Sequence, residues 1–205
     1  RLDGDYSAAE DQYKEYLKFN PTDVNGELGL KSCEYAVKWL DKPTRYQVEL
    51  MPVFNSRSSD YSVAFGKGDY SELFLTSSRS GGVSDKIDAR TGENFSDIYF
   101  SKLNKAGKWS APELLLEPVN TEGNEGSVFI NKRGTMMFFT QCKVEKKKSK
   151  GCGIYVAKRK GKIWGQPMLL QVKLDSNVTF GHPAVSEDES VVIFSSDMLG
   201  GYGGK

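Results

Sequence analysis

The sequence predicts an α+β chain of several domains, with helices at the N-terminus and an incomplete all-β propeller after them. Up to about residue 41, apolar residues recur at helical spacing. From residue 61 onward the apolar runs are short and strand-like, and they repeat. Trp109 and Trp164 are 55 residues apart, and so are Pro112 and Pro167. A repeat of about this length, built from strand-like runs, is typical of propeller blades.

The N-terminal segment predicts two helices. The first ends before Pro21, and the second runs from about Val24 to Leu40, where Pro43 closes it. We therefore expect a partial helical domain over 1–43 and a connector over 44–60. One and a half helical units are too few for a solenoid that is stable alone. The first helix has its apolar side at Tyr6, Ala9, Tyr13, Tyr16 and Leu17.

The remaining chain, 61–205, predicts four antiparallel strands for each copy of the repeat. In the first copy, a strand at Tyr61–Phe65 precedes a nearly continuous apolar run at Leu73–Ser77. Such uninterrupted runs suit strands that are buried on both faces. A third strand contains an Ile-Tyr pair, and a fourth lies near 114–119 or 168–172. The first two strands of the later copies are Ser127–Ile130, Met136–Thr140, Ala184–Ser186 and Val191–Ser195.

These copies amount to about two and a half blades, whereas propellers usually have 4–8. The propeller is therefore expected to continue beyond the chain. The first residue is Arg1 rather than Met, and we expect the sequence to be a piece of a longer protein.

The composition suits a soluble globular protein with a hydrophobic core. The chain has 205 residues, 38% of them hydrophobic, and a net charge of +1. A charge so near zero indicates no general attraction to nucleic acid. No stretch of apolar residues is long enough for a transmembrane segment. We expect no such segment in this chain and no nucleic-acid partner.

Cys142 and Cys152 enclose a short basic loop between two predicted strands. If the strands pair as a hairpin, the two side chains lie opposite each other and can form a disulfide. Such a bond indicates an oxidising compartment. The alternative is a pair of free cysteines in a cytosolic protein. Cys33, within the second predicted helix, is expected to be a small buried apolar residue.

No catalytic, cofactor or metal site is predicted, because the chain lacks the motifs of nucleophilic, phosphate-binding and zinc sites. His182, the single histidine, is expected to be structural. Asp85, Asp88 and Asp97 suggest a calcium site, but their spacing matches no known loop. Six side chains are predicted to form the core of the repeat: Trp109, Trp164, Tyr99, Tyr155, Phe139 and Phe194.

Two motifs resemble known repeats. The order of Gly4, Tyr6, Ala9, Tyr13, Tyr16 and Pro21 resembles the second helix of a tetratricopeptide repeat. Asp97-Ile98-Tyr99, Gly107-Lys108-Trp109 and Pro112 resemble the PD40, or WD40-like, repeat of TolB-type propellers, although Gly153 replaces the aspartate in the second copy. Together with the lead-in residues Asn55, Ser56, Asp60 and Tyr61, these motifs are similar to OmpA-family lipoproteins of the PorE type, which are components of type IX secretion systems.

The resemblance implies a non-enzymatic periplasmic scaffold that is associated with the outer membrane and needs no cofactor. Its partners would be other secretion-system proteins, together with peptidoglycan, which an OmpA-like domain outside this chain would bind. Two alternatives remain open. One is the gating propeller of a prolyl-oligopeptidase-like hydrolase, and the other is a TolB-like receptor for a peptide or glycan.

Overall fold

The computed structural model describes residues 3–42, 44–145, 148–172 and 178–200. The chain divides into two compact units, residues 1–50 and 51–205. The predicted domains 1–43 and 61–205 include residues outside this description, and their bounds stay predictions.

The first unit contains the two predicted helices, α1 (Tyr6–Phe19) and α2 (Val24–Asp41). Aspartates cap both N-termini, where Asp5 and Asp23 accept hydrogen bonds from backbone amides of the first turn. The helices pack closely because α2 has glycine where α1 is bulky. A Cβ added to Gly29 would lie 2.3 Å from the ring of Tyr13. Neither described helix has the length and apolar character needed to cross a membrane.

The described part of the second unit contains three antiparallel sheets, which pair their strands in the orders β1-β2-β3-β4, β5-β6-β7-β8 and β10-β11, with β9 also pairing with β7. The first sheet consists of β1 (Asp60–Phe65), β2 (Glu72–Ser77), β3 (Asp97–Lys102) and β4 (Glu113–Leu114). The second consists of β5 (Asn124–Ile130), β6 (Met136–Glu145), β7 (Lys148–Lys160), β8 (Ile163–Trp164) and β9 (Met168–Leu169). The third consists of β10 (Phe180–Val185) and β11 (Val192–Ser196).

The predicted fold class, tetratricopeptide-like helices followed by an incomplete propeller of four-stranded blades, is wrong. The chain is mostly β, with 35% strand and 17% helix, and its two described helices form no tetratricopeptide-like region. Its sheets are antiparallel, and one is curled into a half-barrel. The described sheets have four, five and two strands, and in the first two β4 pairs with β3 as β9 pairs with β7, at Tyr99–Leu114 and Tyr155–Leu169. Helical spacing specifies a helix but not how many helices stack, and strand-like runs do not specify which strands pair.

The sequence repeat is nevertheless visible in the local geometry. The first strand of each sheet contains a β-bulge. A residue other than glycine has a positive φ in each bulge, which is uncommon. The three residues are Ser62 at 51°, Ser127 at 51° and His182 at 55°. Ser127 and His182 are 55 residues apart, the same interval as between Trp109 and Trp164.

The six side chains predicted as repeat core differ in burial. Tyr99, Phe139 and Trp164 are buried, whereas Trp109, Tyr155 and Phe194 are half-buried. Each of the two tryptophans in this set packs edge to face against a phenylalanine. Trp109 lies 5.6 Å from Phe54 between ring centroids, and Trp164 lies 6.0 Å from Phe74. The second of these contacts joins the first and second sheets.

Candidate binding cleft

A cleft of about 570 Å³ opens where the first strands of the three sheets begin and their second strands end. All three sheets contribute to its lining, together with the segment 88–96 of the first copy. Most of the lining side chains are hydroxyl or amide groups, and Tyr61 and Phe180 add aromatic rings. The cleft is therefore rich in groups that both donate and accept hydrogen bonds.

Gly126 at the start of β5 brings the first two sheets together. A Cβ at this position would lie 2.5 Å from Thr76 Cγ2, closer than real atoms approach. The next residue, Ser127, donates its backbone N–H to Thr76 Oγ1 at 3.1 Å. Glycine is thus required by the close packing, and the threonine hydroxyl satisfies an amide that the bulge frees from the strand ladder.

The same arrangement joins the second and third sheets. A Cβ on Gly181 would lie 2.9 Å from both Cγ2 and Oγ1 of Thr140. The backbone N–H of His182 donates to Thr140 Oγ1 at 2.9 Å. The repeat therefore sets a row of equivalent bulge residues, one from each sheet, and those of the second and third sheets, Ser127 and His182, line the cleft.

Two residues of this row touch. Ser127 Oγ lies 3.0 Å from His182 Nδ1, so one of these two atoms donates a hydrogen bond to the other. A serine beside a histidine raises the question of a nucleophile and its base. In the described chain, no carboxylate hydrogen-bonds to the other ring nitrogen, so the third member of a catalytic triad is missing.

Glu125, next to the row, is fully buried, and its carboxylate is tightly held. It accepts hydrogen bonds from Thr121 N at 3.0 Å, Thr121 Oγ1 at 2.6 Å and Gln141 Nε2 at 2.9 Å. Burial raises the pKa of this carboxyl despite these bonds. The side chain therefore stiffens the wall of the cleft, where it lies among the lining residues.

Asp97 on β3 is also buried, with 1% of its surface exposed. Its Oδ2 accepts from Val83 N at 3.1 Å, while its Oδ1 and the nearby buried Tyr99 hydroxyl have no hydrogen-bond partner among the residues that the structure describes. Burial, with a smaller contribution from the charge of Glu125, raises the pKa of Asp97 to about 6. A carboxyl this poorly solvated favours its neutral form.

The segment 88–96 forms one rim of the cleft. Asp88 and Arg90 make an ion pair at 2.9 Å. Glu93 accepts from Ser59 N at 3.2 Å and from the Ser78 hydroxyl, and these hydrogen bonds lower the pKa of its carboxyl. Glu93 thereby fastens the segment to the residues that flank β1 and β2, whereas the Asp88–Arg90 pair lies within the segment.

Cys142 and Cys152 line the cleft and form a disulfide with an S–S distance of 2.02 Å. They are directly opposite each other in the register of β6 and β7. A bond that closes so short a loop contributes about 2–3 kcal/mol on the chain-entropy estimate. Cys33 is a buried free cysteine.

The three aspartates considered as a calcium site are not brought together. Asp88 pairs with Arg90, Asp97 is buried behind Val83, and Asp85 is exposed. Among the residues described here, no cluster of three or more His, Cys, Asp or Glu could hold a metal ion.

Sequence reasoning missed the cleft, because its residues come from three copies that are far apart in the chain. The structural role expected of His182 stays a prediction, and its side chain is exposed and lines the cleft. The sequence did contain a signal for the cleft. Gly126-Ser127 and Gly181-His182 occupy the same position in successive copies of the 55-residue repeat. No protein-family model matches this chain, and no curated protein matches its sequence.

Proposed function

We propose that this protein is a non-enzymatic binding module that holds an extended segment of a partner protein in the cleft between its three sheets. The observation that carries the proposal is the cleft itself, lined by hydroxyls and amides from all three sheets. Its volume of about 570 Å³ lies within the range of known ligand sites, roughly 300–1,000 Å³.

The lining suits a peptide for two reasons. A peptide backbone alternates donors and acceptors, and serine and threonine hydroxyls pair with either. The cleft also presents the half-buried ring of Phe180 and the ring of Tyr61, which is 43% exposed. Aromatic rings of this kind provide contact area at low entropic cost.

A glycan is the second candidate, and the ring of Tyr61 beside the cleft hydroxyls favours it. Sugars combine apolar ring faces with many hydroxyls, and the cleft offers partners for both. A peptide remains the better candidate because the floor of the cleft is built from closely packed strands and their bulges rather than from a wide aromatic platform.

The disulfide between Cys142 and Cys152 supports a compartment that is oxidising, since such bonds are rare in the cytosol. We therefore include the periplasm in the proposal. The sequence resemblance extends it to a lipoprotein scaffold at an outer-membrane type IX secretion machine, with peptidoglycan bound by a domain outside this chain. Fractionation of cells that express the natural protein would test this extension, and recovery in the cytosol would contradict it.

The binding proposal is tested with a matched pair of variants. Ser59→Trp fills the cleft at an exposed lining residue, and Ser80→Trp places the same side chain on an exposed site outside the cleft lining. Peptides from a random displayed library would be selected on the native protein and measured by calorimetry. The selected peptide should bind S80W unchanged and S59W at least about tenfold more weakly.

Equal binding to both variants would place the peptide elsewhere and contradict the proposal. If no peptide is selected but a glycan array yields a ligand that S59W loses, the second candidate replaces the first. The recovered peptide should be intact. Cleavage that His182→Ala abolishes would instead indicate a hydrolase.

A further inference from the structure

The three sheets present equivalent residues to the cleft. The residues three positions before the bulge residues are Ser59, Asn124 and Thr179. The residues opposite them on the second strand of each sheet, or directly after it, are Ser78, Cys142 and Asp197. In the first and third sheets, the second residue of each pair donates its backbone N–H to the carbonyl of the first, at 3.1 and 3.3 Å. All six residues line the cleft.

In the first and third sheets, a carboxylate binds the amide at this position. Ser59 N donates to both carboxylate oxygens of Glu93 at 3.2 Å. Thr179 N donates to Asp197 Oδ1 at 2.8 Å. In the second sheet, which packs against both of the others, the equivalent place is taken by the uncharged disulfide of Cys142. The cleft therefore has one carboxylate on its first-sheet side, another on its third-sheet side and an uncharged middle.

These two carboxylates have no cationic partner. Within the described chain, neither Glu93 nor Asp197 forms an ion pair. Hydrogen bonds from two serines lower the pKa of Glu93, so its side chain is ionised at neutral pH. Among the described lining residues there is no lysine and one arginine, Arg90, which is already paired with Asp88. The cleft is thus negative, although the whole chain has a net charge of +1.

An aromatic ring accompanies each carboxylate. Phe180 directly follows Thr179, and Tyr61 comes two residues after Ser59. Both rings line the cleft. The face of an aromatic ring attracts a lysine or arginine side chain through its quadrupole. Charge and aromatic lining therefore favour the same kind of ligand group, independently of each other.

We propose that the segment bound in the cleft is basic, and that it places one lysine or arginine side chain beside Glu93 and a second beside Asp197. The inference rests on the proposed peptide-binding function and names the class of peptide. Each cation gains a carboxylate partner, and the residues between the two cations lie along the uncharged middle of the cleft. An acidic segment is rejected, because it would bring like charges together on both sides.

The first test uses the native protein and the random displayed library. Peptides that bind in the cleft, and are therefore weakened in S59W, should contain at least two basic residues. Replacing either one with glutamine in a synthetic copy should weaken binding at least about threefold, and replacing both at least about tenfold. Raising the ionic strength from about 0.05 M to about 0.5 M should weaken the basic peptide much more than the doubly substituted copy.

Isosteric variants locate the two contacts. Glu93→Gln and Asp197→Asn each remove one charge and keep an oxygen that can accept the backbone hydrogen bond. Each variant should bind the peptide at least about threefold more weakly. Glu113→Gln is the matched control, because it removes a charge from an exposed residue of β4 outside the cleft lining, and it should bind normally. Equal weakening by all three variants would show that only the overall charge matters and would overturn the proposal.

Charge reversal assigns each contact to one carboxylate. Glu93→Lys should lose the basic peptide, and a copy with glutamate in place of one basic residue should recover at least about tenfold in affinity. Asp197→Lys should recover with glutamate at the other basic position. Both variants are measured after their thermal melting has been matched to that of the native protein. Recovery at neither position, or at the same position for both variants, would contradict the proposed pairing.

The selected sequences separate this inference from the proposed function. Peptides that are weakened in S59W but lack basic residues would leave peptide binding in the cleft standing and overturn the charge preference. If no peptide binds in the cleft, both proposals are overturned.

Discussion

At the scale of single residues, two kinds of constraint shape the cleft. Gly126 and Gly181 are required because neighbouring sheets leave no room for a Cβ. Glu125 and Asp97 are carboxyls in places where burial disfavours charge. The first constraint concerns packing and the second concerns protonation, so different experiments separate them.

Replacing Gly126 with alanine should lower the free energy of unfolding by about 1–3 kcal/mol, because the new methyl group meets Thr76. Urea denaturation measures the change. Gly68→Ala is the control, since its Cβ would be 3.8 Å from the nearest atom. Adding Thr76→Ser to G126A removes the crowded methyl and should recover part of the loss. No recovery would show that the clash is not the cause.

Asp97 should make the protein less stable as the pH rises. Its pKa is raised from 3.8 to about 6 in the folded state, so the stability it contributes is fully present below pH 3.8 and is lost as the pH rises through 6. The difference amounts to about 3 kcal/mol at most. Glu125 has a raised pKa and acts in the same direction.

Asp97→Asn isolates the contribution of Asp97. Between pH 4 and 7, the free energy of unfolding of the native protein should fall more steeply than that of D97N. Urea denaturation across this range measures both slopes. Parallel curves would show that Asp97 titrates with an ordinary pKa.

At the scale of elements, the sheets are joined by side chains as well as by apolar packing. Arg159 on β7 pairs with Glu72 on β2 at 2.7 Å and donates to the Gly134 carbonyl at 2.9 Å. Its guanidinium lies 4.9 Å from the centre of the Trp164 ring. Both charged side chains are largely buried, with 9% and 13% of their surfaces exposed.

Replacing Arg159 with methionine should cost about 3–5 kcal/mol, because it leaves Glu72 buried without its main partner. Urea denaturation of R159M, E72Q and the double variant forms a thermodynamic cycle. The double variant should lose less stability than the two single losses added together. Additive losses would show that the pair contributes no coupling between the two sheets.

At the scale of the whole molecule, local pattern and non-local pairing were predictable to different degrees. Both helices and the main strands follow from the spacing of apolar residues, which is a property of neighbours in the chain. Which strands pair within a sheet depends instead on contacts between distant parts of the chain. β7 pairs with β6, β8 and β9, and nothing in its sequence of apolar residues specifies three partners.

The cleft escaped prediction for the same reason. Ser127 and His182 come together only because each follows a glycine that packs on a threonine of the preceding sheet. Trp109 and Trp164 were recognised as repeat residues because a rare, large side chain recurs at the same interval in the sequence. Gly126 and Gly181 are harder to recognise in a sequence because glycine is common. They are the residues that mark where neighbouring sheets pack together and form the cleft.

The central claim is that the cleft beside His182 binds a peptide, and the single histidine of the chain offers a direct test. Nuclear magnetic resonance would follow the His182 ring Cε1–H signal while the selected peptide is added. The signal should shift and saturate in the native protein and in S80W, and stay in place in S59W. A peptide that binds the native protein while the His182 signal does not move would contradict the account.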